Sequence, residues 1–226
     1  MTLPQTIELH PAGAVRASVV VLHGLGADGT DFLPLADEID PAAAGPVRWV
    51  FPRAPQRAVT INGGQHMRAW YDVYAGFERG MREDEAGLRE GFALAQAVVA
   101  REVGRGVPAA RIVLAGFSQG CAIALGAGLR CPQRLAGIVG LSGYLALAQA
   151  TPAERHPANA ATPVLLTHGT QDPVVDIARG RAGRDAVAAL GNPVEWHEYP
   201  MEHAVCLEEI RAVERFLQRV LQAPAP

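Results

Sequence analysis

Residues 112–120 read Ile-Val-Leu-Ala-Gly-Phe-Ser-Gln-Gly. A short apolar run leads into Gly116-x-Ser118-x-Gly120. This is the sequence form of a sharp turn from a strand into a helix that lifts one hydroxyl above the edge of a sheet. No other feature restricts the fold as strongly. A strained bend at Ser118 crowds the residues two before and two after it, and a Cβ at either would clash. The chain has three serines and 24 glycines among 226 residues. Roughly 0.03 such patterns are then expected by accident, before a strand and a helix are also required.

The segments around this turn alternate between strand-like and helix-like, which predicts an α/β fold. Strands are expected at Ser18–Leu22, Val47–Phe51, Ile112–Ala115, Leu135–Leu141, Val164–Thr167 and Val194–Tyr199, with Ile7–Leu9 as an edge strand. Several are continuous apolar runs, as in parallel strands covered on both faces. The expected architecture is a mostly parallel twisted sheet with helices on both faces. Helices are expected at Asp84–Val103, with a stripe of Leu88, Phe92, Ala95 and Val99, and at Leu207–Leu221, with Ile210, Val213, Leu217 and Val220. Asp31–Ile39, Gln119–Leu129 and Val175–Leu190 are further helix candidates.

The length fits one core, read as a single domain over residues 1–222 with a frayed tail at 223–226. Thr151–Thr162 is too short for an inserted cap domain. Pro52–Arg82 is read as a long loop with a turn at Asn62-Gly63-Gly64. It carries Ile61, Met67, Trp70, Tyr71 and Phe77. That aromatic content argues for a wall or partial lid over a site rather than for disorder.

A net charge of −3 offers no footprint for nucleic acid. No apolar run is long enough to span a membrane, and no signal peptide is visible. Cys121, Cys131 and Cys206 are odd in number and lack CxxC spacing, which reads as reduced thiols in a cytoplasmic protein. All 20 basic residues are arginine. The absence of lysine removes Schiff-base chemistry, a Walker lysine and a Ser-Lys mechanism.

A serine hydroxyl needs a base, and the base needs an anchor for its tautomer. On sheets with such a turn the partners follow in the order serine, acid, histidine. Val164-Leu-Leu-Thr-His-Gly-Thr-Gln-Asp172 places Asp172 just past a late strand. Val194-Glu-Trp-His-Glu-Tyr-Pro-Met-Glu-His203 places His203 after the last one. Asp176 is the rival acid, but it falls at a helix start, where it can serve as a cap. His197 sits within strand alternation, and His168 ends its strand beside a glycine. The tetrahedral intermediate requires two donors. The Gln119 N–H, at a helix N-terminus, is one. The Leu25 N–H, in the loop Leu22-His-Gly-Leu-Gly26, is the other, with His23 read as a brace.

Gly24-x-Gly26-x-x-Gly29 also matches a dinucleotide-binding fingerprint. However, no acidic residue ends the next strand, and Asp28 would repel a pyrophosphate. An NADP reading through Arg48 or Arg53 is the rival enzyme class. A binding protein on a catalytically dead fold is the rival non-enzyme class. No metal site is expected: His-Glu-x-x-His is absent, and His197 and His203 lack a common ligand spacing.

Seven blocks together carry a resemblance: Leu22-His-Gly-Leu-Gly-Ala-Asp, Pro52-Arg-Ala-Pro, Val59-Thr-Ile-Asn-Gly-Gly, Trp70-Tyr-Asp, Ala115-Gly-Phe-Ser-Gln-Gly, His168-Gly-x-x-Asp-x-Val-Val and Tyr199-Pro-Met-x-His. The chain resembles the small carboxylesterase/acyl-protein thioesterase family of α/β-hydrolases. The Thr60-Ile-Asn-Gly-Gly form looks most like its bacterial carboxylesterases. The resemblance implies an α/β-hydrolase fold without a large cap, a triad of Ser118, Asp172 and His203, and an oxyanion hole at Leu25 and Gln119. It implies no cofactor. Such proteins cleave carboxylic esters, acyl-protein thioesters or lysophospholipids. Cys121 stands where glycine or alanine is usual, and Glu202 where the bacterial esterases have glycine.

The expectation is therefore a cofactor-free serine carboxylesterase, monomeric or homodimeric, acting on a small-molecule or lipid ester. Ile61, Met67, Trp70 and Tyr71 are candidates for an apolar acyl or alcohol groove. Trp70 and Tyr71 have an equal alternative as anchors of their loop.

Overall fold

Successive residues of a strand point to opposite faces, so a strand apolar at every position must be covered twice. The central strands obey this rule. In the computed structural model, which describes residues 3–40, 44–74 and 82–222, the first strands are β1 (Thr6–Leu9), β2 (Ala17–Leu22) and β3 (Val47–Pro52). A hairpin of β4 (Gln56–Val59) and β5 (Gln65–Arg68) follows, then β6 (Ile112–Phe117), β7 (Gly137–Leu141), β8 (Val164–Gly169) and β9 (Val194–Tyr199). The helices are α1 (Leu33–Glu38), α2 (Glu85–Gly104), α3 (Gln119–Leu129), α4 (Thr151–Glu154), α5 (Ile177–Ala189) and α6 (Leu207–Val220).

Seven strands form one sheet in the order β1-β3-β2-β6-β7-β8-β9. Only β1 runs antiparallel, against β3. The pairs from β3 through β9 are parallel. Val20, Leu22, Ile112 and Leu114 face a core filled by Leu88 and Phe92 of α2 and Ile123 and Leu125 of α3. Their neighbours Val19, Val21, Val113 and Ala115 face a second core with Leu35 of α1 and Phe216 and Leu217 of α6. Each such large side chain contributes about 1.5–3 kcal/mol on burial. The order reverses between β2 and β6, and ligands of open α/β sheets bind outside the carboxyl ends of strands at such a switch point. The loops after β2 and β6 carry Leu25 and Ser118. Among the described residues no helix is long and apolar enough to cross a membrane.

Three local readings are corrected. Residues 52–82 are not simply a loop. Within them β4 and β5 pair antiparallel from Gln56↔Arg68 to Val59↔Gln65. The turn passes through a 3₁₀ segment and then Gly63 and Gly64, both with positive φ. Each strand is only four residues long and largely polar, so no alternation betrayed it. The first expected helix divides into a 3₁₀ turn at Thr30–Phe32 and a six-residue α1. The helix expected from Val175 begins at Ile177, because Asp176 caps it by accepting from the Ala178 N–H at 2.8 Å. Phe77 and the tail 223–226 lie outside the described residues.

Candidate active site

The turn from β6 into α3 has the expected strain. Ser118 sits at φ 55°, ψ −117°, a region that costs a residue with a side chain about 1–3 kcal/mol. A Cβ on Gly116 would fall on the Gly120 carbonyl, and one on Gly120 would fall on the Leu22 carbonyl. The second glycine thus lets the new helix abut the end of β2. The Ser118 N–H donates to Leu141 O at 2.8 Å, which fixes the bend to β7.

The histidine and the acid arrive from two later strand ends. His203 Nε2 lies 2.9 Å from Ser118 Oγ. Its Nδ1 lies 2.7 Å from Asp172 Oδ2. A carboxylate only accepts, so Nδ1 carries the proton and Nε2 is left to accept from the serine hydroxyl. The Asp172 side chain is fully buried. Its Oδ1 accepts from the N–H groups of Val174 and Val175 at 2.8 and 2.9 Å. Both carboxylate oxygens are therefore satisfied without a cationic side chain. The Phe117 ring packs 4.8 Å from the imidazole. Asp176, the rival acid, is occupied as the α5 cap.

Two other buried histidines bond to backbone, although His168 Nε2 also lies 3.5 Å from Asp172 Oδ2. His23 is buried, its Nδ1–H donates to Gly24 O at 2.7 Å, and its Nε2 accepts from the Ala54 N–H at 3.0 Å. It braces its loop, and burial holds its pKa below the ordinary value. His168 donates to Val175 O at 2.8 Å, and burial lowers its pKa as well. Cys121 is buried, and desolvation pushes its thiol up to about 12, so it stays protonated. Glu202 is exposed beside His203.

Leu25, Ser118 and Gln119 line one cavity of about 470 Å³. Among the described residues no protein acceptor is found for the backbone N–H of Leu25 or Gln119. Ile61, Asn62, Tyr71, Val73 and Tyr144 share the lining, with Pro173, Val174 and Val175. Ile61 and Tyr71, two of the groove candidates, thus line the same cavity as Ser118. Trp70 does not. It is fully buried, its indole N–H donates to His23 O at 2.9 Å, and it anchors the segment. Met67 lies outside the lining and accepts from the Asn62 amide at 3.2 Å.

Sequence reading missed Asn62, Val73, Tyr144 and the Pro173–Val175 stretch. The signal for Tyr144 was its place just beyond the carboxyl end of β7, where this class of sheet builds its sites. The Gln119 side chain was missed too. It accepts from the Trp70 N–H and donates to Tyr71 O, both at 2.8 Å.

The dinucleotide reading loses its arginines. Arg48 is buried and paired with Glu102 at 2.7 Å, and Arg53 lies 3.5 Å from Asp28. Among the described residues no group of three or more His, Cys, Asp or Glu side chains is placed to hold a metal ion.

The profile of the phospholipase/carboxylesterase family matches residues 6–221. Acyl-protein thioesterase 1 of Yarrowia lipolytica is 37% identical over 213 residues, covering 92% of this chain and 94% of that protein. The crystal structure of Arabidopsis thaliana SOBER1 superposes with a TM-score of 0.86 at 29% identity, over 92% of this chain and all of that one. A carboxylesterase of Bacillus cereus shares the fold, with a TM-score of 0.76 at 19% identity over 96% of this chain and 94% of that one.

Proposed function

The chain belongs to the phospholipase/carboxylesterase family and is a serine hydrolase of carboxylic esters, and from that premise we propose the roles of its residues. Ser118 is the nucleophile. His203 Nε2 takes its proton as the oxygen attacks the acyl carbonyl, and Asp172 holds the imidazole in the tautomer that can accept. Negative charge then forms on the carbonyl oxygen, where the N–H groups of Leu25 and Gln119 receive it. His203 protonates the departing alcohol as the tetrahedral intermediate collapses. Water enters, gives its proton to His203, and attacks the acyl-enzyme. Collapse releases the acid and returns the proton to Ser118.

The observation that carries this reading is the unbroken line from Ser118 Oγ through His203 to Asp172, at 2.9 and 2.7 Å, beside the cavity. A thioester would suit the same machinery, since the leaving thiol needs less protonation than an alkoxide. The name of the Yarrowia lipolytica relative favours that second reading. A lysophospholipid is a further candidate, in keeping with the word phospholipase in the family description. Three free cysteines, two of them buried, support residence in a reducing compartment such as the cytoplasm. The sheet that spans from β1 to β9 supports reading residues 1–222 as one domain.

Ser118→Ala is expected to lower turnover of a p-nitrophenyl short-chain ester by about 10⁴–10⁶-fold and to abolish labelling by a fluorophosphonate. Near-normal turnover by that variant overturns the assignment. A wild-type protein that folds but is neither labelled nor active revives the dead-fold reading.

A further inference from the structure

Two cavities meet at one side chain. The first is the site cavity, floored by the buried Tyr71 and Tyr144 and rimmed by the exposed Ile61 and Val174. The second, of about 430 Å³, is lined by Glu83, Leu147, Arg179, Ala182 and Gly183, and again by Tyr144. Tyr144 is therefore common to the two linings. It is fixed at two points. Its hydroxyl lies 3.1 Å from the Tyr71 hydroxyl. The Arg179 guanidinium, from the lining of the second cavity, lies 3.8 Å from its ring centroid. Burial keeps both phenols protonated, with Tyr144 pushed up to about 12.

The chemistry decides which part of the substrate meets this wall. The leaving group must depart on the side of His203, which protonates it. His203 does not line the cavity, whereas Leu25 and Gln119 do. The portion that remains bonded to Ser118 is the acyl group, and the cavity is the space left for it.

We infer that Tyr144 is the wall that sets acyl length: with its ring in place the enzyme prefers short acyl groups, and without it the two cavities join and longer chains are accepted. The inference rests on Ser118 being the nucleophile, and the experiment separates the two claims. Acetyl, butyryl, octanoyl and dodecanoyl esters of p-nitrophenol keep the leaving group constant. Wild type is expected to lose kcat/KM from butyryl to dodecanoyl. Tyr144→Ala is expected to raise the dodecanoyl-to-butyryl ratio by about tenfold or more, chiefly through KM, the discrimination that a single methylene gained in an apolar pocket supplies. Tyr144→Leu, which fills more of the space, is expected to raise it less, and it carries the comparison should the alanine variant not fold. Tyr144→Phe keeps the ring and is expected to keep the ratio.

A wild type that already favours dodecanoyl over butyryl overturns the inference. So does a folded, fluorophosphonate-labelled Tyr144→Ala or Tyr144→Leu with the wild-type ratio. Hydrolysis that survives in Ser118→Ala sinks the reading of the site instead.

Discussion

Asp172→Asn isolates the tautomer from every other part of the site. The carboxylate accepts three hydrogen bonds, with His168 Nε2 a further 3.5 Å from Oδ2. Oδ1 accepts from the Val174 and Val175 N–H groups at 2.8 and 2.9 Å, and Oδ2 accepts from His203 Nδ1 at 2.7 Å. An asparagine has one accepting oxygen and one donating nitrogen. Two backbone donors face Oδ1, so the amide oxygen must stay there, and the NH₂ then points at His203 Nδ1. That nitrogen must become the acceptor, which moves the imidazole proton to Nε2, opposite Ser118 Oγ. The base is then unavailable while the geometry survives. The equivalent change in a serine protease lowers kcat by about 10⁴-fold, or about 5 kcal/mol of transition-state stabilisation. The same loss in kcat is expected here, with KM and melting temperature nearly unchanged, measured on p-nitrophenyl butyrate. A folded variant that loses less than about tenfold refutes the argument, because it means that the proton on Nδ1 is not what Asp172 controls.

Two further predictions concern stability. Ser118→Gly and Ser118→Ala both lose the bond to His203, but only glycine is at ease at φ 55°, ψ −117°. Relief of about 1–3 kcal/mol of strain, less about 1 kcal/mol of glycine entropy, leaves the glycine variant more stable by about 1 kcal/mol, or about 2–4 °C in Tm. An alanine variant that melts at the same temperature or higher contradicts the strain. Glu209 is buried in the first turn of α6, where it accepts from the Thr167 hydroxyl and leaves Oε2 without a partner. Burial raises its pKa from 4.5 to about 7. The folded state therefore holds this proton more tightly than the unfolded chain, so the stability from it is complete below about pH 4.5 and is lost as pH rises through about 7. The loss is on the order of 3 kcal/mol. Glu209→Gln should remove it, so the Tm of the variant should gain on wild type across that range, and parallel Tm profiles would dismiss it.

The architecture was legible because parallel strands buried on both faces are mostly apolar, as in the runs Val19–Leu22 of β2, Ile112–Ala115 of β6 and Val164–Leu166 of β8. Ser118 was legible because its glycines answer to local sterics. Asp172 and His203 were legible because chain order and strand ends constrain them. Legibility ended where contacts between distant residues decide. Trp70 and Tyr71 are adjacent at a bend just past β5, where no strand alternation assigns them to faces. The sequence does not say which one faces the cavity, and the structure buries the indole against His23. The hairpin β4–β5 was hidden by its short polar strands. Tyr144 is held by Tyr71, 73 positions earlier, and by the Arg179 guanidinium over its ring, contacts that no local pattern announces. Glu209 looked like an ordinary acidic residue of a helical first turn, and nothing local announced that Thr167 would be its partner.

The Gln119 amide has a mechanical consequence. Its two bonds to the Trp70 N–H and Tyr71 O clip the chamber's side to the residue that follows the attacking oxygen. That side cannot swing outward to admit a guest without tugging on the reactive centre. Opening that side is therefore expected to cost both bonds, and entry is expected to use the cavity as the resting protein shapes it.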